Sequence, residues 1–125
     1  MSDENESVVN SESTSPINSS ILKTIRKLLG MSDDYKYFDE DIIIHINSAF
    51  ATLNQLGVGP EEGFEIEDES AIWSDFVNDS RFNSVKSYVF LSVKQIFDPP
   101  TSGSLSESIN RQLQELTWRL SIVKD

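Results

Sequence analysis

The chain has 125 residues, no cysteine and a formal charge of −11. Its length suits one domain with a single modest core, and the absence of thiols excludes disulfides and thiolate metal sites. No apolar run reaches the roughly 18 residues of a membrane span, and the acidic opening MSDENESVVN lacks the apolar stretch of a signal peptide. The expected product is soluble and made in the cytoplasm.

Charge is spread unevenly. Residues 1–18 carry Asp3, Glu4, Glu6 and Glu12 with no Lys or Arg, a net of −4. Lys23, Arg26 and Lys27 give residues 19–32 a net of +3, whereas residues 33–79 hold thirteen acids against Lys36 alone. Residues 80–125 return to +2. A chain so polarised repels phosphates over its middle, which excludes a basic-patch nucleic-acid binder. Solubility and a functional acidic surface explain the charge equally well.

In residues 1–18 only Val8, Val9 and Ile17 are notably apolar, too little to offset ordering entropy. An acidic flexible tail over 1–18 is therefore expected ahead of a helical domain over 19–125. Ser19 or Ser20 caps a short helix, ILKTIRKLLG, with Ile21, Leu22, Ile25, Leu28 and Leu29 inward and its basic side chains outward. Gly30 ends it. Tyr35, Tyr37 and Phe38 are expected to pack as core over the start of the next helix.

That central helix has the firmest local signal. Ile42, Ile46, Ala49, Phe50, Leu53 and Leu56 fall on one helical face. Asp39 reads as its N-cap, and Glu40 and Asp41 suit the positive end of the helix dipole. Gly57 and Gly59 allow positive φ, and Pro60 cannot continue the helix.

Phe64 and Ile66 alternate with Glu65 and Glu67, which predicts a short extended segment, one arm of a small hairpin. SAIWSDFV then predicts one or two helical turns with Ile72, Trp73 and Phe76 inward. RFNSVKSYVFLSVKQIF over 81–97 is a second long helix whose stripe is Val85, Val89, Val93 and Ile96. Tyr88, Phe90 and Leu91 widen that stripe, as in a bundle centre or an oligomer interface. Asp98-Pro99-Pro100 stops the helix, because a residue before proline avoids the helical region. A final helix runs from Ser104 or Ser106 to about Val123, with Ile109, Leu113, Leu116, Leu120 and Val123 as its seam. Trp118 and Ile122 lie off the seam. An exposed Trp118 suits an interface, and a second intramolecular contact accounts for it equally well. The predicted fold is mainly α: a small bundle of about four helices, with a short extended or hairpin segment between the two long central ones.

No catalytic, cofactor or metal residue stands out. His45 is the single histidine and, flanked by isoleucines, reads as a residue at the core margin. The alternating acids and terminal Glu of a calcium loop are missing, as are a Cys–His pair and a phosphate-cradling glycine loop. The acids sit in a turn-rich stretch without an apolar pocket, so paired-carboxylate chemistry is not indicated. A non-enzyme is expected.

At DIIIHINSAFATLNQLGVGPEEGF, and again at IWSDF and KQIFDPPTS, the sequence resembles the head–tail connector (adaptor) proteins of tailed bacteriophages. The likeness is to the small helical adaptors of phages and prophages of Gram-positive hosts. It runs from about Ile21 to Leu120 in the family's order, with ELTWRL in the last helix, and leaves out the acidic tail before Ser19. The resemblance implies a virion neck protein, a twelvefold ring of identical subunits beneath the portal protein. Such a ring extends the channel for double-stranded DNA, which passes without sequence-specific binding, and docks a stopper or tail-completion protein. It implies no cofactor and no membrane. Under this reading Trp118 and Ile122 face the portal, and Asp98, Pro99 and Pro100 form a hinge. Trp73 and Phe76 shape the loop region between subunits or toward the next ring. Glu65, Glu67 and Glu69 become candidates for the channel lining, where acidic walls shed phosphates. The alternative is an acidic DNA-mimic inhibitor of a nucleic-acid enzyme, although a mimic needs acids spaced like phosphates and these are clustered.

Overall fold

The computed structural model describes residues 15–122. Most of the expected acidic tail, and Val123 of the predicted seam, lie outside the described residues. Four helices follow in order: α1 (Ile21–Leu28), α2 (Asp39–Gln55), α3 (Phe82–Phe97) and α4 (Gly103–Ile122). Single 3-10 turns at Pro16–Asn18 and Trp73–Asp75 flank α1 and precede α3. The mainly-α expectation holds, and there is no strand among the described residues.

The α1 helix begins where Ser20 Oγ accepts a hydrogen bond from the Lys23 backbone N–H at 3.2 Å. It ends at Leu29, with Gly30 at φ 91. Ile21, Leu22 and Ile25 are buried, but Leu28 is 47% exposed and Arg26 takes an inner position at 1%. The expectation that the basic side chains all face outward therefore fails for Arg26. Four residues after Leu22, it shares the inner face, and acids from other segments meet its charge there.

The α2 helix starts one residue earlier than predicted, with Phe38 at the N-cap. Asp39 is thus the first helical residue, and its carboxylate lies 3.2 Å from Arg26 Nε. Ile42, Ile46, Ala49, Phe50 and Leu53 are buried as the spacing predicts. Gly57 and Gly59, both at φ 91, turn the chain out of the helix.

The chain between α2 and α3 does not form the expected hairpin. Its extended part is held by an asparagine from α2. Asn47 Nδ2 donates to Ile66 O at 3.0 Å, and the Ile66 N–H donates to Asn47 Oδ1 at 2.8 Å. Asn54, seven residues on, donates to Pro60 O at 2.6 Å. Further along, Ser20 and Ile72 make a single antiparallel bridge, with Ile21 N–H to Ala71 O at 3.0 Å and Trp73 N–H to Ser19 O at 3.2 Å. Alternating hydrophobicity predicts an extended backbone but does not name its partner.

Phe50 sits at the centre of the core, with ring centroids 4.3 Å from Phe76, 5.1 Å from Phe64 and 6.3 Å from Trp73. Trp73 spends its polar atom inside the protomer, donating Nε1–H to Thr24 Oγ1 at 3.3 Å. On α3, Val85, Tyr88, Val89 and Val93 are buried, while the predicted fourth stripe residue, Ile96, is 60% exposed. Ile96 borders an open groove between α2, α3 and α4 that no side chain fills. The aromatic trio also departs from expectation. Phe38 packs edge-on against Phe97 at 5.2 Å, but Tyr35 and Tyr37 flank it in solvent, Tyr37 at 80% exposure. One ring fills the space between the start of α2 and the end of α3.

The final helix starts at Gly103, earlier than either predicted serine, because Ser102 Oγ accepts from the Leu105 N–H at 3.3 Å. Ile109, Leu116 and Leu120 are buried and Leu113 half-buried, so the predicted seam is the face that packs on α3.

Candidate assembly surface

Two exposed regions collect most of the residues singled out in the sequence. The first is the acidic loop after α2. Asn47 fixes the backbone of Ile66, which points its own side chain inward and leaves Glu65 and Glu67 exposed on either side. Glu61 and Glu62 are exposed earlier in the loop. These four carboxylates project into solvent from a backbone held by α2.

Glu69 behaves differently. Its Oε2 lies 2.7 Å from Arg26 Nη2 and 3.1 Å from Lys36 Nζ, and its Oε1 lies 3.7 Å from Lys23 Nζ. The hydrogen bond from Lys36 does most to hold its carboxyl below the ordinary glutamate value, against partial desolvation, and Lys23 and Arg26 add to it. Arg26 also donates Nη1–H to Asp33 O. One guanidinium thus ties α1, the loop before α2, the first residue of α2 and the acidic loop together. Glu69 anchors the loop, whereas Glu65 and Glu67 are free of such pairs among the described residues.

The second region is the α3–α4 bend and the outer face of α4. Asp98 adopts φ −144, ψ 65 before Pro99, outside the helical region, and Lys94 Nζ lies 3.4 Å from its Oδ2. Asp98 and Pro99 are exposed and Pro100 is half-buried. Along α4, the seam faces α3 and the opposite face is open. Trp118 stands there at 64% exposure between two shallow grooves of about 500 and 520 Å³. Arg111 and Glu115 line one groove, and Leu113 and Thr117 line the other. Ile122 is the last residue of α4, and its side chain lies outside the described residues.

Trp73 and Phe76 lie in neither region. Both are buried within the protomer against Phe50, so they shape the loop from beneath and present no surface themselves. His45 is half-buried at the α2–α3–α4 groove beside Tyr88, Ser92 and Gln95. No cluster of three or more metal-ligating side chains occurs among the described residues.

Order of elements, bend and α4 seam all lie within one match: a family profile described as phage connector protein covers residues 21–125. The chain belongs to the phage connector protein family. No curated protein and no solved structure matches it. Membership gives the connector a structural head–tail role in the virion, where it assembles with other phage virion proteins. Among its described residues, no helix is long and apolar enough to cross a membrane. Three residues that organise the connector's surfaces escaped the sequence reading: Arg26, Asn47 and Asn54. Their only signal is spacing, with Arg26 four residues after Leu22 and the two asparagines seven apart beside the apolar face of α2.

Proposed function

We propose that the connector assembles as a homo-oligomeric ring, twelvefold as its family resemblance implies, beneath the portal protein. There it extends the DNA channel and docks a stopper or tail-completion protein. The observation that carries this reading is Trp118, a large side chain left in solvent on a helix whose opposite face packs on α3. Aromatic residues anchor interfaces because they bury much area at little entropic cost.

A ring subunit beneath a portal needs one surface for the portal and others for its neighbouring copies. The Trp118 face is the portal-facing one. The shelf of Tyr35, Tyr37 and Phe38 is a second, placed by Phe97 at the α3–α4 bend. Trp118 lies fifteen residues into α4, about 22 Å along the helix by its rise, so the two patches are well separated. Asp98, Pro99 and Pro100 set the angle between the helices that carry them. Glu65 and Glu67 face the passing DNA, whose phosphates they repel.

Electron microscopy of purified portal rings mixed with the connector tests this. The expected result is an additional symmetric layer on the tail-facing end, lost or weakened at least about 30-fold in affinity with Trp118→Ala. A portal that stays bare at several salt concentrations overturns the reading. Binding to a nucleic-acid enzyme that falls steeply with salt would instead match a DNA mimic, since an apolar ring contact changes little.

A further inference from the structure

Against its net charge, the connector gathers three lysines around one groove. The groove, about 590 Å³, lies between the Pro16–Asn18 turn, α1 and the side of α3. Lys23, Lys27 and Lys86 line it, with Asp33 as its one acid. Lys23 is half-exposed and only grazes Glu69, at 3.7 Å. Lys86 lies over the Phe82 ring, 5.2 Å from its centroid. Lys27 has no carboxylate within ion-pair distance among the described residues. Beside them stands Leu28, the one residue of the predicted α1 stripe that is exposed rather than covered. Three cations and an apolar side chain make a site for an acidic peptide with small hydrophobic residues.

The chain itself contains such a peptide. We propose that residues 1–14 dock into this groove of their own subunit. The segment holds Asp3, Glu4, Glu6 and Glu12 with no Lys or Arg, and Val8 and Val9 lie between the last two acids. The described chain begins at Ser15, and Asn18, three residues on, is itself a wall of the groove. Counting back from Ser15, Val8 is seven residues away, a reach of up to about 23–25 Å when extended. Val8 and Val9 cover Leu28 while Glu6 and Glu12 meet the lysines. Docked so, the segment masks a concentrated basic site on an otherwise acidic surface, and passing phosphates find no foothold there. The docking itself does not depend on the ring, whereas the shielding from passing phosphates rests on the channel reading.

Because the chain has no cysteine, Ser7→Cys gives a unique attachment point for a nitroxide on the full-length protein. In about 0.1 M salt the amide signals of Lys23, Lys27 and Leu28 should lose at least about half their intensity and regain it in about 1 M salt, where the screening length shrinks to ~3 Å. Lys27→Glu with Lys86→Glu should abolish the broadening without moving the melting temperature. If that pair lowers the melting temperature, Lys27→Glu alone supplies the reading. Absent, evenly spread or salt-insensitive broadening overturns the proposal. So does broadening that appears only in isotope-labelled chains mixed with separately spin-labelled ones, because the occupant is then a neighbouring copy.

Discussion

Arg26 is the one charged side chain closed inside the described protein, and Glu69 gives it an acid from the far end of the chain's middle. Glu69→Gln should therefore lower the melting temperature, although a sequence reading treats the residue as one more surface acid. Its pH dependence has a definite sign. The folded carboxyl is held below its ordinary value, so on acidification the unfolded chain takes up the proton first. The stabilisation is complete above the ordinary glutamate range and disappears as pH falls through the folded value. Melting curves should show the wild type losing stability more steeply than Glu69→Gln across that acid window; parallel curves would remove Glu69 from the network. Gly59 makes a separate case. At φ 91 it strains any side chain, and a Cβ there would enter the Phe76 ring, whereas Gly63, at φ 99, faces open space. In urea titrations Gly59→Ala should be less stable than Gly63→Ala by about 1–3 kcal/mol, the usual penalty of overpacking. Equal losses would mean that backbone strain alone matters.

Helices were legible at the level of elements because their signals are local. Four residues of one face recur within seven, serines and glycines mark ends, and Pro99 with Pro100 forbids continuation. Errors arose where a distant segment decides the outcome. Asp39 is not the cap, its carboxylate being turned to Arg26 of α1, and Ile96 stays exposed beside a groove left open. The missing hairpin is the clearest instance. Asn47 satisfies the Ile66 N–H and C=O as a neighbouring strand would, yet an asparagine on the rim of an amphipathic helix looks like ordinary surface. Asn47→Ala should cost about 1–3 kcal/mol through two unpaired backbone groups. Amide exchange at Ile66 should accelerate while exchange in α3 follows only the global loss. A uniform change would mean that the loop has no stability of its own to lose.

Across the whole molecule, the fold class was readable from spacing and the family from the resemblance of its motifs, while the sorting of acids was not. Glu65, Glu67 and Glu69 share one stretch and one chemistry, and only Arg26 and Lys36 distinguish the third from the others. Trp73 and Trp118 divide in the same way. A tryptophan carries no mark of which side faces water, and Phe50 and Thr24 claim the first. Channel effects must accordingly be tested on Glu65→Lys with Glu67→Lys, leaving Glu69 in place. Particles carrying that pair should assemble normally and eject DNA more slowly. Wild-type ejection kinetics would reduce the two carboxylates to solubilising groups.

The asparagine-held loop separates what supports the display from what is displayed. Positions 61, 62, 65 and 67 point outward, and their backbone is gripped from below by two side chains of a helix. Substitutions at the outward positions leave the grip untouched, so the fold accepts new side chains there, or a grafted epitope, even where the changed charge alters how DNA passes. A strand buried in a sheet has no such licence, since its register binds both neighbours.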